Sequence, residues 1–218
     1  MCGRITQSSS PQDYARLFGI TCDLVIKPRY NIAPSNQIMA CRLSAAGEKE
    51  LITLHWGLVP AWSKGLDRRF SMINARAETL ADKPAYRGPF KKQRCLIPAD
   101  GFYEWHQENG KQPYYIHATQ DHPLMFAGIW DHWEDDSGDK IDSCSIITCA
   151  ANKQMQPIHE RMPVILSSDQ WDSWFNGQDA TTLQSMLVPY RDDDMDIYQV
   201  STVVNNPKKD GAGLIKPL

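Results

Sequence analysis

The chain has 218 residues, enough for one domain or at most two, and 42% of them are hydrophobic, so a sizeable core can form and wholesale disorder is excluded. Lys and Arg total 23 against 26 Asp and Glu, a formal charge of −3. That balance excludes a protein that coats duplex DNA by phosphate neutralisation alone, and leaves room only for local contact in a cleft lined by a few arginines.

In chain order, Ser10 as N-cap, Pro11 at the first helical position and Gly19 as a stop predict a helix over 11–18. Apolar, β-branched and aromatic runs predict strands over 37–43, 51–57, 94–97, 102–106, 114–117, 124–133, 143–149 and 164–166. Short helices are expected over 78–81, 84–92, 168–175 and 181–187, with hairpin turns at Asn109-Gly110 and Ser137-Gly138. The acidic run Asp192-Asp193-Asp194 reads as a solvated loop. Strands follow strands, without regular strand–helix alternation, which argues for an α+β fold with a mainly antiparallel sheet. No repeat and no low-complexity linker interrupts the chain, so one continuous domain over 1–218 is expected.

No apolar run reaches the roughly 18 residues of a membrane span, and no basic-then-apolar leader opens the sequence. A cytoplasmic protein without membrane contact is expected. Cysteines stand at 2, 22, 41, 95, 144 and 149, with long irregular gaps and no closely spaced pair of the CxxC kind. Only Cys144 and Cys149 are near each other, within an apolar run where free cysteine behaves as a small hydrophobe. The pattern argues against a zinc site and against a disulfide framework. No phosphate-cradling glycine loop occurs, and no cofactor is called for.

Cys2 follows the initiator methionine. A small second residue generally permits removal of Met1, which leaves Cys2 with a free α-amine beside its thiol. Such a 1,2-aminothiol condenses with an aldehyde to an imine, and the sulfur then closes a thiazolidine ring. Unperturbed pKa values of roughly 7.7–8.0 for the amine and 8.5 for the thiol leave a nucleophilic fraction at neutral pH. The competing reading is a cysteine that frays with the terminus and carries little of the core. Three further segments carry candidate chemistry. Asn74 and Arg76 place an amide and a guanidinium two residues apart, and Glu104 sits between aromatics that would raise its pKa. His159 and Arg161 stand just before a strand expected to begin at a proline. Each also has a structural reading, as turn former, satisfied strand residue or loop histidine.

Taken in order, Met1-Cys2-Gly3-Arg4, Arg29-Tyr30-Asn31-Ile32-Ala33-Pro34, Trp56-Gly57-Leu58-Val59-Pro60 and Ile73-Asn74-Ala75-Arg76-Ala77-Glu78-Thr79 resemble the SRAP domain, the SOS-response-associated peptidase family. So do Asp100-Gly101-Phe102-Tyr103-Glu104-Trp105, His159-Glu160-Arg161-Met162-Pro163 and the stretch from Val200-Ser201 to Asn205-Asn206. The resemblance runs from residue 2 to about residue 215.

It implies a single α+β domain with a strand-rich, barrel-like core, short peripheral helices and a positively charged DNA groove. It also implies an enzyme of DNA-damage repair and the SOS response that captures abasic sites in single-stranded DNA as a covalent thiazolidine crosslink. By resemblance Cys2 is the crosslinking residue, Glu104 the acid/base carboxylate, His159 the histidine of the imine step and its reversal, and Asn74 the orienting amide. Arg4, Arg76 and Arg161 match arginines near the DNA backbone, where a planar fork suits phosphate. Thr148 fits a groove-lining polar contact, and Pro34 and Trp62 an apolar wedge beside the lesion. A monomer is expected, since one lesion needs one active site, with nucleoid association when DNA is bound. An imine could also partition towards β-elimination, a lyase branch. Two other readings use the same residues: a cysteine hydrolase or peptidase of the N-terminal-nucleophile type with His159 as base, and a single-stranded DNA-binding module without chemistry.

Overall fold

The computed structural model describes residues 2–66, 72–106, 112–120 and 122–218. The chain opens with β1 (Ile5–Gln7) and α1 (Pro11–Leu17), whose N-cap is Ser10; its side chain accepts from the Asp13 N–H at 3.1 Å. β2 (Arg29–Ile32), β3 (Gln37–Leu43), β4 (Lys49–Trp56) and the short β5 (Asn74–Arg76) follow. α2 (Pro84–Lys92) leads into β6 (Arg94–Ala99), β7 (Gly101–Trp105), β8 (Pro113–Ala118), β9 (Leu124–Glu134) and β10 (Lys140–Ala150). The chain ends through β11 (Arg161–Pro163), α3 (Trp171–Asn176), α4 (Ala180–Ser185) and β12 (Met195–Gln199). The fold is α+β, as the succession of strands predicts.

Five strands close on themselves in the order β9-β10-β4-β3-β6-β9, a barrel whose pairings are antiparallel except for β10 with β4. Closure pairs each of these strands on both sides, except where β10 runs on beyond its partners in the ring. A second, antiparallel sheet runs β12-β8-β7-β1-β2 and packs on the barrel, with Phe102 edge-on to Phe126 at 5.7 Å. Buried Gln7 joins the two layers. Its amide nitrogen donates to Met39 O at 2.9 Å and Pro98 O at 2.7 Å, and its carbonyl accepts from Met39 N–H at 2.8 Å. A polar side chain can lie in that interface because both ends of its amide are satisfied by backbone groups.

The long apolar runs form strands where the sequence places them, and the Ser137-Gly138 turn joins β9 to β10 with Gly138 at φ 89°. The Asn109-Gly110 turn lies outside the described residues. Three features differ from expectation. The strand expected over 164–166 falls earlier, at β11, and Pro163 ends it rather than beginning it. Val164 divides its backbone groups, donating to Ile147 O of β10 and accepting from Ala127 N–H of β9, both at 2.9 Å, so the chain crosses between strands and no regular ladder forms. β1, β2, β5 and β12 are three to five residues long, too short to show an alternating pattern. The acidic run 192–194 is a 3-10 turn in which Asp194 is mostly buried and accepts from Tyr190 and Thr119 hydroxyls, latching the turn to the end of β8. Among the described residues no helix is long and apolar enough to cross a membrane.

Candidate active site

β10 organises the site. β4 pairs with its early residues, Ser143 and Cys144, and then leaves; β5 takes over the same edge in parallel, aligning Asn74 with Ile146 and Arg76 with Thr148. Gly57 makes the departure possible. Its φ of 142° is unfavourable for other residues, and its N–H still donates to Cys144 O at 3.0 Å. On the opposite edge the pairing with β9 ends at Ile146 and β11 takes over, pairing Thr148 with Pro163 and Ala150 with Arg161. The end of β10 thus brings together the segments carrying Asn74, Arg76, Thr148, His159 and Arg161.

The N-terminal segment enters from the second sheet, where Tyr103 N–H donates to Arg4 O at 2.9 Å. Cys2 is fully buried within the core, against the competing reading of a fraying terminus. The Asn74 amide nitrogen donates to the Cys2 carbonyl at 2.8 Å, while Asn74 Oδ1 is buried with no hydrogen-bond partner among the described residues. Burial, reinforced by the Glu104 charge, pushes the Cys2 thiol far above its ordinary range; the amino terminus and the Arg4 backbone N–H act the other way.

Alternation along β7 puts Glu104 on the face of Phe102, towards the barrel, and leaves it 3% exposed. Tyr103 instead packs with Tyr115, Val200 and Val204. Burial raises the Glu104 carboxyl above the usual range, although the amino terminus and His159 pull it back. His159 is half-buried, and its Nδ1 accepts from the Arg161 N–H at 2.9 Å. That bond leaves Nε2 to carry the proton of the neutral ring. Glu104 thus stands between two distant segments, its charge acting on Cys2 and that of His159 acting on it.

The DNA-facing candidates separate into two groups. Arg76 and Trp62 are exposed, Trp62 at 69%, and Pro34 is half-buried in the turn whose Ser35 N–H donates to Trp56 O at 2.8 Å. Arg4 and Arg161 are engaged inside the protein. Arg4 Nη1 donates to Asn31 Oδ1 at 2.5 Å and Val204 O at 2.8 Å, and its guanidinium lies 5.5 Å from the Trp105 ring centroid. Arg161 forms a two-pronged pair with Glu78, at 2.6 and 2.9 Å, and also donates to Thr148 O at 2.6 Å. Thr148 has no exposed surface and lies against Arg161 rather than on an open groove wall.

Linear reading missed Glu78, Asn31 and Tyr86. Glu78 and Asn31 stand inside motif blocks already singled out, but their partners are 83 and 27 residues away, beyond any local spacing. Tyr86 donates to Asn74 O at 3.4 Å from α2. The cysteines are free thiols, and among the described residues no group of three or more His, Cys, Asp or Glu could hold a metal ion.

The chain is similar to known proteins along nearly its whole length. The family model of the SOS response associated peptidase (SRAP) matches residues 1–207. The abasic site processing protein YoqW of Bacillus subtilis (strain 168) is 41% identical over 223 residues, covering 99% of each chain. The abasic site processing protein HMCES of Gallus gallus is 33% identical over 224 residues, covering 88% of this chain and 67% of that one. A crystal structure of a protein from Bacteroides thetaiotaomicron superposes with a TM-score of 0.88 at 26% identity, covering the whole of both chains. With a family match that leaves only the last residues uncovered and a relative 41% identical along 99% of its length, this chain belongs to the SOS response associated peptidase family.

Proposed function

We propose that this protein processes abasic sites in single-stranded DNA by covalent capture on Cys2, after removal of Met1. The observation that carries the reading is Cys2 itself, fully buried, held through its carbonyl by Asn74 and lying in the field of Glu104. The naming of the relatives as abasic site processing proteins supports the same substrate.

The lesion offers no base edge to read, only a gap in the stack, flanking phosphates and a masked aldehyde. The Cys2 α-amine attacks C1′ of the ring-opened sugar, and the carbinolamine loses water to give an imine. The thiol then adds to the imine carbon, forming the C–S bond while its proton passes to nitrogen. The net change is aldehyde plus aminothiol to thiazolidine plus water. Glu104, whose carboxyl burial raises above its usual range, gives a proton to the ring oxygen and takes one from the anomeric hydroxyl, then gives one to the departing hydroxyl and takes one from the nitrogen; a positioned acid/base group contributes about 100- to 10,000-fold. His159 carries its proton on Nε2 and serves the imine step in both directions. Asn74 fixes Cys2 and turns its vacant Oδ1 towards an incoming N–H or O–H. Trp62 and Pro34 fill the gap left by the missing base, and Arg76 meets phosphate.

The test is incubation of the Met1-free protein with oligonucleotides bearing or lacking an abasic site, resolved on a denaturing gel. A crosslink confined to the abasic strand is expected. Cys2→Ser should leave an imine trappable by borohydride but no durable adduct. Peptide or amide turnover without a crosslink would replace this reading with the hydrolase one.

A further inference from the structure

The engagement of Arg4 and Arg161 raises the question of which cations are open to a phosphate. Among the described residues Arg94 is spent on backbone carbonyls of Phe90, Lys91, Trp174, Phe175 and Gly177. Arg16, Arg42 and Arg191 are paired with carboxylates. Arg76 is exposed, makes no hydrogen bond among the described residues and acts on Glu78 only through its field, while Arg87 is exposed with no hydrogen-bond or ion-pair partner among them. The same holds for Lys83, Lys91 and Lys92.

Arg87, Lys91 and Lys92 lie on α2, and Lys83 is its N-cap. From Lys83 to Arg94 every charged residue is basic. Lys83, Arg87 and Lys91 recur every fourth residue, which puts them on one flank of the helix about 6 Å apart along its axis, the spacing scale of successive phosphates in a single strand. Lys92 falls on the opposite flank. Local helix physics does not account for this stripe. Lys91 and Lys92 complement the negative end of the helix dipole, but Lys83 stands at the positive end, where an acid would be favoured, and Arg87 near the middle gains nothing from it. Lys83 makes no side-chain cap, where Ser, Thr, Asp or Asn would supply one. The helix also adjoins the reactive residues: Tyr86 donates to Asn74 O at 3.4 Å, and Asn74 to Cys2 O at 2.8 Å.

We propose that the Lys83–Arg87–Lys91 flank of α2 is a phosphate track that holds the single-stranded DNA on one side of the lesion, continuing from Arg76. This inference rests on the nucleic-acid reading above. It assigns that role to residues exposed and unpaired in the folded chain, in place of the two arginines committed elsewhere.

The experiment compares wild type, the triple variant Lys83→Ser/Arg87→Gln/Lys91→Gln, Lys83→Ser alone and Lys92→Gln. Binding to an undamaged oligothymidine is followed by fluorescence anisotropy across salt concentrations. Crosslinking is followed on abasic strands trimmed stepwise from either side. The triple variant is expected to lower the salt slope by about 2, at about 0.7 per phosphate contact on a single strand, and to lose the benefit of a longer flank on one side only. Lys83→Ser is expected to raise the melting temperature by supplying a cap while weakening binding, two opposite signs that a purely structural lysine would not give. Lys92→Gln should keep the wild-type slope. The track is overturned if the triple variant keeps both slope and flank dependence, if Lys92→Gln loses as much, or if wild type does not bind the undamaged strand at low salt. Failure of the covalent reading shows separately, as absence of a wild-type crosslink on every abasic strand.

Discussion

Glu104 is a carboxylate that its surroundings prefer to keep protonated, and that preference has a cost in stability. Its folded pKa lies above the ordinary value because of burial, so the unfolded chain ionises first as pH rises, and the fold loses stability as pH climbs through the folded value. Glu104→Gln does not titrate. It should therefore melt above wild type at pH 8, with the gain vanishing towards pH 4, while crosslinking slows by about 100- to 10,000-fold. A lower melting temperature at pH 8 would mean that the carboxylate is stabilised where it stands. The Glu78–Arg161 pair has the opposite sign. The Arg161 hydrogen bonds hold Glu78 below its usual range, so its contribution is present above the ordinary carboxylate pKa and is lost as pH falls through the lowered one. Glu78 is 54% exposed, so Glu78→Gln should cost less than about 1 kcal/mol at pH 7, with the two proteins converging in acid. Freeing Arg161 should also steepen the salt dependence of DNA binding by about 0.7, a change that anisotropy resolves.

At the scale of elements, the site depends on strands that end early and hand an edge to a successor. β7 carries Glu104, and its register against β8 and β1 leaves no room at Gly101. A Cβ there would overlap the Tyr115 ring carbon and hydroxyl and come within 2.6 Å of Ile116 O. That hydroxyl is already bonded to Thr6 Oγ1 at 3.0 Å, so Tyr115 has little freedom to withdraw. Gly101→Ala should cost about 1–3 kcal/mol, read as a fall in the urea midpoint at unchanged slope. An unchanged midpoint would show that β7 can shift as a unit. The sequence made the long strands legible because β3, β4, β9 and β10 are apolar runs of seven to eleven residues, and it made α1 and α2 legible through Ser10-Pro11 and Pro84. It did not reveal β5 or β11. Each has three residues and is a strand only because β10 offers it an edge.

Across the whole molecule one buried asparagine ties both ends of the chain to the site. Asn31 accepts from Arg4 through Oδ1, while its Nδ2 lies within bonding distance of the carbonyls of Val204, Asn206 and Lys209 at 3.2, 3.1 and 2.7 Å. Trp105, next to Glu104, donates to Asn205 Oδ1 of the same strap at 2.6 Å. Asn31→Ala would strand several of these groups at once, at about 1–3 kcal/mol for each left buried and unpaired. Limited proteolysis should then cut beyond Val200 where wild type resists, and a wild-type cleavage pattern would show that the strap holds without the clamp. The sequence by itself determined what local order can encode: the aminothiol chemistry open to Cys2, the caps, the long apolar strands and the ordered blocks that carry the family resemblance. Tertiary structure alone decided that Cys2 is buried rather than frayed, that Arg161 is paired rather than open, and that Asn74 reaches Cys2. Those outcomes rest on partners 72 and 83 residues apart, and a hydrogen bond or a desolvated charge has no energy until folding brings its partner within reach.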